Sequence, residues 1–188
     1  VSGKLYGYKH VLPERPGWYT CACCPPNVVR LLMSLGKYLW SETEDGVYSH
    51  IPAGTEAHFD KMDVTVESNY PWDGRVIYHV TGKTEKETIL GIHIPSWVRP
   101  GSVQVRINGK VKDITADVEK GYLILKRVWE NDEVELVFPM KIRKIYANLK
   151  VREDAGCVAF MRGPFVYCFE GVDNPGLLQS YHIFEDAK

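Results

Sequence analysis

Three thiols fall within four residues at Cys21, Cys23 and Cys24, followed directly by Pro25, Pro26 and Asn27. Sulfur at this density has three uses: a buried thiol cluster, a set of metal ligands, or a nucleophile. The prolines bear on the choice, because proline suits the first turn of a helix. A helix opening at Pro25-Pro26-Asn27 would set unpaired N–H groups and the positive end of its dipole beside Cys23 and Cys24. Anions are stabilised there, so these thiols are expected to ionise more readily than a free cysteine, whose pKa is about 8.5. Zinc suits such thiolates, being borderline soft and satisfied by four tetrahedral ligands. The spacing is not that of a C-x-x-C knuckle, and no second Cys or Cys/His cluster follows at zinc-finger distance. A metal here would need at least one ligand from far along the chain or from outside it. A disulfide between the adjacent Cys23 and Cys24 would be strained. From residue types alone, the three uses stay open.

Other chemistry is sparser. His10, His50, His58, His79, His93 and His182 are dispersed and read as surface or strand residues. The acids Glu42, Glu44, Asp45, Glu56, Asp60 and Asp73 stand in no setting that marks a catalytic pair, and a solvated role is expected for each. No G-x-S-x-G, phosphate-cradling glycine loop or H-E-x-x-H is present. Tyr70, Trp72 and Trp97 lie in turn-like segments, where an exposed ring can stack on a sugar and a covered one packs the edge of a sheet. Cys157 and Cys168 sit in apolar strand-like stretches and are expected to be small buried hydrophobes. An odd total of five cysteines, three of them crowded together, is not a disulfide framework. A reducing compartment, the cytoplasm, is the expected location.

Composition excludes several classes. The chain has 188 residues, 45% apolar and 25% charged, the balance of an ordinary globular protein. A net charge of -1 with scattered basic residues gives no field that would draw it to nucleic acid or an acidic membrane. No apolar run approaches the roughly 20 residues that span a bilayer. The first residues also lack the basic start and apolar block of a secretory signal.

The elements that must position the thiols change character near residue 41. Val28, Leu31, Leu32, Leu35 and Leu39 recur at helical spacing, with Val29 and Met33 broadening the stripe. The spacing predicts one helix from Pro25 to near Trp40, with Gly36 weakening it but not ending it. Beyond it, strands are expected at Val47–Ile51, Thr55–Phe59, Met62–Asn69, Arg75–Gly82, Glu87–Ile94, Val103–Ile107, Gly121–Lys126, Glu133–Phe138, Gly156–Met161 and Phe165–Glu170. Lys141 to Lys144 reads as a strand exit. Asn108-Gly109 is a strong two-residue hairpin signal. Frequent short strands without room for crossover helices indicate a mainly β chain, an antiparallel β-sandwich preceded by one helix. A lone helix with so broad an apolar stripe needs partners to cover it.

Taken together, Cys21-Ala22-Cys23-Cys24-Pro25-Pro26-Asn27, Arg30 and Ser34-Leu35-Gly36-Lys37-Tyr38 resemble the signature of the β-L-arabinofuranosidases of glycoside hydrolase family 127. The likeness continues through Asn69-Tyr70-Pro71-Trp72-Asp73-Gly74, Ile94-Pro95-Ser96-Trp97, Gly121-Tyr122-Leu123 and Arg162-Gly163-Pro164-Phe165-Val166-Tyr167. That resemblance implies an (α/α)6 catalytic barrel followed by β-sandwich domains. Residues 1–40 would be the end of the barrel, 41–143 the first sandwich and 144–188 the start of a second. It implies that Cys23 is both the catalytic nucleophile and a zinc ligand, and that Cys24 is a second ligand. In the family, a glutamate and a cysteine that complete the zinc set, and the glutamate acid/base, lie upstream; nothing in residues 1–22 matches them. The implied reaction is a retaining hydrolysis of a terminal β-L-arabinofuranoside in plant glycans. The fragment alone would be inactive without its missing N-terminal catalytic domain. The alternative is a non-catalytic sandwich module that binds carbohydrate or packs on a partner.

Overall fold

The computed structural model describes residues 22–183. The chain divides into two compact units: one carries the leading helix together with the segment from Cys168 onward, and the other runs from Ser34 to Tyr167.

In the first unit, helix α1 spans Cys24–Met33. Its apolar residues Val28, Val29, Leu31, Leu32 and Met33 are all exposed. The segment after Cys168 carries no strand among the described residues, only a 3-10 turn at Leu178–Ser180. Asn174 Nδ2 donates to Glu170 O at 2.9 Å, and Tyr181 OH donates to Pro175 O at 2.7 Å. The Tyr181 ring stacks on Phe169 at 5.5 Å between centroids.

Helix α1 ends seven residues short of the predicted stop at Trp40. Residues 34 and 35 form a turn, held by Lys37 N to Ser34 O and Tyr38 N to Leu35 O, and only Gly36–Leu39 (α2) is helical again. The cause is local: Ser34 and Gly36 are poor helix formers two residues apart. Trp40 then starts strand β1 (Trp40–Glu42) and is not a helix end. Its indole donates to Thr55 Oγ1 at 3.3 Å and packs on Phe59 and Tyr78.

Thirteen further strands follow β1 among the described residues: β2 (Gly46–Ser49), β3 (Thr55–His58), β4 (Met62–Ser68), β5 (Arg75–Gly82), β6 (Thr88–His93), β7 (Gln104–Ile107), β8 (Lys110–Lys112), β9 (Val118–Glu119), β10 (Tyr122–Arg127), β11 (Asn131–Val137), β12 (Ile142–Ile145), β13 (Ala159–Arg162) and β14 (Phe165–Tyr167). One sheet has the order β1-β2-β6-β10-β9, a second β3-β4-β5-β11-β7-β8, and a third β12-β13-β14. All ladders are antiparallel except β2 with β6, where Val47 pairs Leu90 in parallel. The connection between those two strands runs through β3, β4 and β5 of the opposite sheet, so no crossover helix is required.

The first two sheets form a sandwich around one core. Val47, Leu90, Ile92, Leu123 and Leu125 face Met62, Val64, Val66, Val76, Tyr78, Val80, Val105, Val134 and Leu136, and all are buried. Each such side chain contributes about 1.5–3 kcal/mol on leaving water. One polar contact crosses the core, Ser49 Oγ to Tyr78 OH at 3.1 Å. At the sandwich edge, Trp129 is buried and donates Nε1–H to Thr88 O at 2.8 Å, with the Arg127 guanidinium 5.4 Å over its ring.

The predicted hairpin at Asn108-Gly109 is present, with φ of 50° and 75°, the left-handed pair of a type I′ turn. It is pinned to β11: Asn108 Nδ2 donates to the buried carboxylate of Asp132 at 2.8 Å, and Glu133 N donates to Asn108 Oδ1 at 2.8 Å. Arg127 Nη2 lies 3.2 Å from Asp132 Oδ1, the same oxygen that accepts from Asn108, and the other oxygen, Oδ2, accepts from Glu130 N at 3.0 Å. Lys120-Gly121 forms a second turn of the same kind, between β9 and β10. Lys141 to Lys144 is not an exit, because Ile142–Ile145 is itself a strand, paired with β13.

Candidate active site

Cys24 is the first residue of α1 and Cys23 immediately precedes it; Cys21 lies outside the described residues. Because the helix opens at Cys24, Pro25 and Pro26 occupy two of the four first-turn positions whose N–H groups would lack intrahelical partners. Proline has no N–H, so of those four positions only Cys23 and Cys24 carry a donor, and Asn27 N–H is the first within i→i−4 reach of a helical acceptor, the Cys23 carbonyl. The site therefore offers half the backbone donors of an ordinary helix start, and the aligned dipole carries most of any anion stabilisation.

Both thiols are free and exposed, with the sulfurs 3.7 Å apart. A disulfide would require about 2.05 Å. Two sulfurs bound to one tetrahedral zinc at about 2.3 Å each would lie about 3.8 Å apart. The pair thus has the donor chemistry and the separation to occupy two positions on one zinc ion. Among the described residues no group of three or more His, Cys, Asp or Glu side chains gathers around a metal-sized space. Cys23 and Cys24 are two donors, half the number a tetrahedral site needs.

Two further residues belong to this cluster. Asn27 Nδ2 donates to the backbone carbonyl of Cys23 at 2.8 Å, and Arg30 Nη1 donates to Asn27 Oδ1 at 3.0 Å. Their spacing of four and three residues on the start of a helix is the signal from which such contacts are read. The thiols drew attention from those spacings, and neither residue was a site candidate on residue type.

Elsewhere the candidates separate. Glu42, Glu44, Asp45, Glu56, Asp60 and Asp73 are exposed, as expected. His50 bridges Tyr122 OH at 2.7 Å and Ser41 Oγ at 2.9 Å, while His58 and His79 pair with Asp63 and Glu67 at 2.9 and 3.2 Å. His93 lies against the ring of Tyr122, and His182 is exposed; His10 lies outside the described residues. On the outer face of the second sheet, Glu135 sits between Arg75 at 2.7 Å and Arg106 at 3.1 Å, and their hydrogen bonds hold its carboxyl below the usual range. Asp63 is lowered likewise, first by Lys83 and then by His58. These are ion-paired surfaces, not a spaced carboxylate pair.

Cys157 and Cys168 are exposed, contrary to the expectation of burial. Both flank strands without belonging to them: Cys157 closes a turn two residues before β13, and Cys168 follows β14 directly. An apolar neighbourhood in sequence therefore did not put either inside a sheet. Of the three aromatics, Tyr70 and Trp97 are half-buried and pack edge-on against Phe138. Trp72 is 66% exposed, touching Phe165 edge-on at 5.4 Å, with its carbonyl held by Arg162 Nη1 at 3.1 Å.

Comparisons with known proteins agree with these motifs. Residues 46–140 match the family model described as "Beta-L-arabinofuranosidase, GH127 middle domain", and residues 142–188 match "Glycoside hydrolase family 127 C-terminal domain". A non-reducing end β-L-arabinofuranosidase of Bifidobacterium longum subsp. longum is 40% identical over 181 residues, covering 93% of this chain and 27% of that protein. The crystal structure of a GH127 β-L-arabinofuranosidase from Geobacillus stearothermophilus T6 is similar at a TM-score of 0.78 and 44% identity, over 88% of this chain and 26% of that one. A second solved GH127 β-arabinofuranosidase is similar at a TM-score of 0.72 and 36% identity, over 84% and 28% of the respective chains. The chain spans about a quarter of the length of each of these relatives.

Proposed function

Because the chain belongs to glycoside hydrolase family 127, we propose that it is the C-terminal part of a retaining β-L-arabinofuranosidase whose nucleophile is Cys23. The observation that carries this reading is the pair of free sulfurs 3.7 Å apart at the start of α1. On this reading residues 1–40 end a helical barrel, 41–143 form a first sandwich and 144–188 begin a second. The exposed apolar face of α1 supports the first of these, since a barrel would cover it.

Cys23 and Cys24 would hold zinc with two ligands contributed from a preceding region. Bound zinc supplies a Lewis-acidic centre that keeps thiol ligands deprotonated at neutral pH. Cys23 Sγ attacks the anomeric carbon of a terminal β-L-arabinofuranoside while an acid from that preceding region protonates the leaving oxygen. The C–O bond breaks as the C–S bond forms, and water then displaces the sulfur with the same group acting as base. Two displacements at one carbon return the original configuration. Four free thiols among the described residues support a reducing location, the cytoplasm.

The test is Cys23→Ala in the intact protein. Arabinose release should vanish while the circular dichroism spectrum stays that of the wild type, and zinc content should fall. Wild-type turnover by that variant would end the mechanism.

A second reading, a carbohydrate-binding sandwich with no catalytic part, is favoured by one observation: the exposed ring of Trp72 on a turn fixed by Asn69 and Arg162. Glycan binding by this chain that Trp72→Ala removes would support it.

A further inference from the structure

The peptide plane that joins Cys23 to Cys24 sets the relative directions of the two Cα–Cβ bonds that carry the sulfurs. Side chains on neighbouring residues ordinarily diverge, by about 100° around a helix and to opposite faces in a strand. A separation of 3.7 Å between adjacent sulfurs therefore depends on the rotation of the peptide plane between them, together with the χ1 angle of each cysteine. The oxygen of that plane is the Cys23 carbonyl, and it is this atom that Asn27 Nδ2 holds at 2.8 Å. Arg30 in turn holds Asn27 Oδ1 at 3.0 Å, which orients the amide with its NH2 toward the carbonyl.

We propose that Asn27 is a positioning residue: oriented by Arg30, it fixes the peptide plane between Cys23 and Cys24 and so keeps both sulfurs on one side for joint ligation. The Cys23 carbonyl is the first acceptor of the helix, and the Asn27 side-chain amide adds a donor to it. The chain of contacts is short and directional: guanidinium to amide oxygen, amide nitrogen to peptide oxygen, peptide plane to sulfur pair. Every member lies within eight residues of α1 and its first flanking residue, so the device needs no distant element to set it.

This proposal rests on the reading of Cys23 and Cys24 as a ligand pair, and the experiment separates the two. The probe is phenylarsine oxide, a trivalent arsenical that bonds two thiols at once. It reports the sulfur geometry independently of zinc and of turnover. It is titrated into the metal-stripped intact protein in a Cys21→Ser background. Asn27→Asp keeps the size of the side chain but cannot donate to the carbonyl, so arsenical affinity should fall about three- to tenfold, the effect of one lost hydrogen bond. Arg30→Ala should act in the same direction and Arg30→Lys, which still donates, should recover most of the loss. With zinc restored, Asn27→Asp should lower kcat on an arabinofuranoside by about 10- to 100-fold with little change in KM, as expected for a misplaced nucleophile. A purely structural Asn27 would lower thermal stability and leave arsenical affinity and kcat untouched; that result overturns the proposal, as does wild-type arsenical affinity in both Asn27→Asp and Arg30→Ala. An intact protein that takes up the arsenical in this pattern but cleaves no arabinofuranoside would refute the enzymatic reading while sustaining the positioning role.

Discussion

The leading helix and the sandwich meet the same demand, covering apolar surface, in opposite ways. In the sandwich, alternate residues of β4, β5, β6, β10 and β11 enter one shared core and vanish from solvent. In α1, the apolar residues Val28, Val29, Leu31, Leu32 and Met33 stay exposed. The difference teaches where each region gets its stability. The sandwich closes on itself, because two twisted sheets each present one apolar face to the other. A ten-residue helix cannot do this, and it is marginal in water without a partner.

The sharpest way to break that contrast is a core truncation. Leu136→Ala should destabilise this chain by about 2–5 kcal/mol, the cost of a cavity in a packed core, as read by urea unfolding. A value below 1 kcal/mol would mean that the sandwich is loosely packed. Asp132→Ala should follow at about 1–3 kcal/mol, since it strands the Asn108 amide and the Arg127 guanidinium at the hairpin. Tyr78→Phe should cost about 0.5–1.5 kcal/mol by leaving the Ser49 hydroxyl unpaired between the sheets. At the small end, Leu32→Ala in α1 should change the stability of this chain by less than about 0.5 kcal/mol, since no burial is lost. The same substitution in the intact protein should cost several times more if a barrel covers the stripe. Equal costs in both would remove the reason for assigning α1 to one.

Acid offers a separate probe of the sheet surface. Glu135 and Asp63 both have carboxyls lowered by cationic neighbours, so the folded state holds them ionised more firmly than the unfolded chain does. Their stabilisation is complete above the unfolded carboxylate range of about 4 and is lost as pH falls through the lower folded values. The urea midpoint should therefore decline from about pH 5 downward, and Glu135→Gln should flatten part of that slope. An unchanged slope in the variant would show that the Arg75 and Arg106 contacts contribute nothing.

Much of the sandwich was legible because alternation is a local property. Arg75–Gly82 has the same limits in sequence and structure, since Val76, Tyr78 and Val80 all point inward and Gly82 ends the run against Trp129. Asn108-Gly109 declared its turn because both residues tolerate positive φ. The strands that went unseen, β1, β8, β9 and β12, have two to four residues, too few to show a period, and they lie at sheet edges with one or two residues of each exposed. The helix was overextended because an apolar repeat continues through Leu35 and Leu39 while the turn at Ser34 interrupts the backbone. At the candidate site, the thiols were visible from their density alone. Asn27 and Arg30 stood in the family-like motif without an assigned part, which became evident only from where their side-chain atoms lie.

Sequence alone determined the mainly β character, the apolar faces of the longer strands and the placing of Cys23 and Cys24 at the mouth of a helix, because each depends on residues within a turn or a strand of one another. Tertiary structure decided which strand lies beside which, including the parallel pairing of β2 with β6, and which apolar residues are covered: the core valines but not those of α1, and neither Cys157 nor Cys168. Pairing and burial are settled by surfaces that meet across long stretches of chain, and a local pattern states only that a face wants a partner, not which partner it finds.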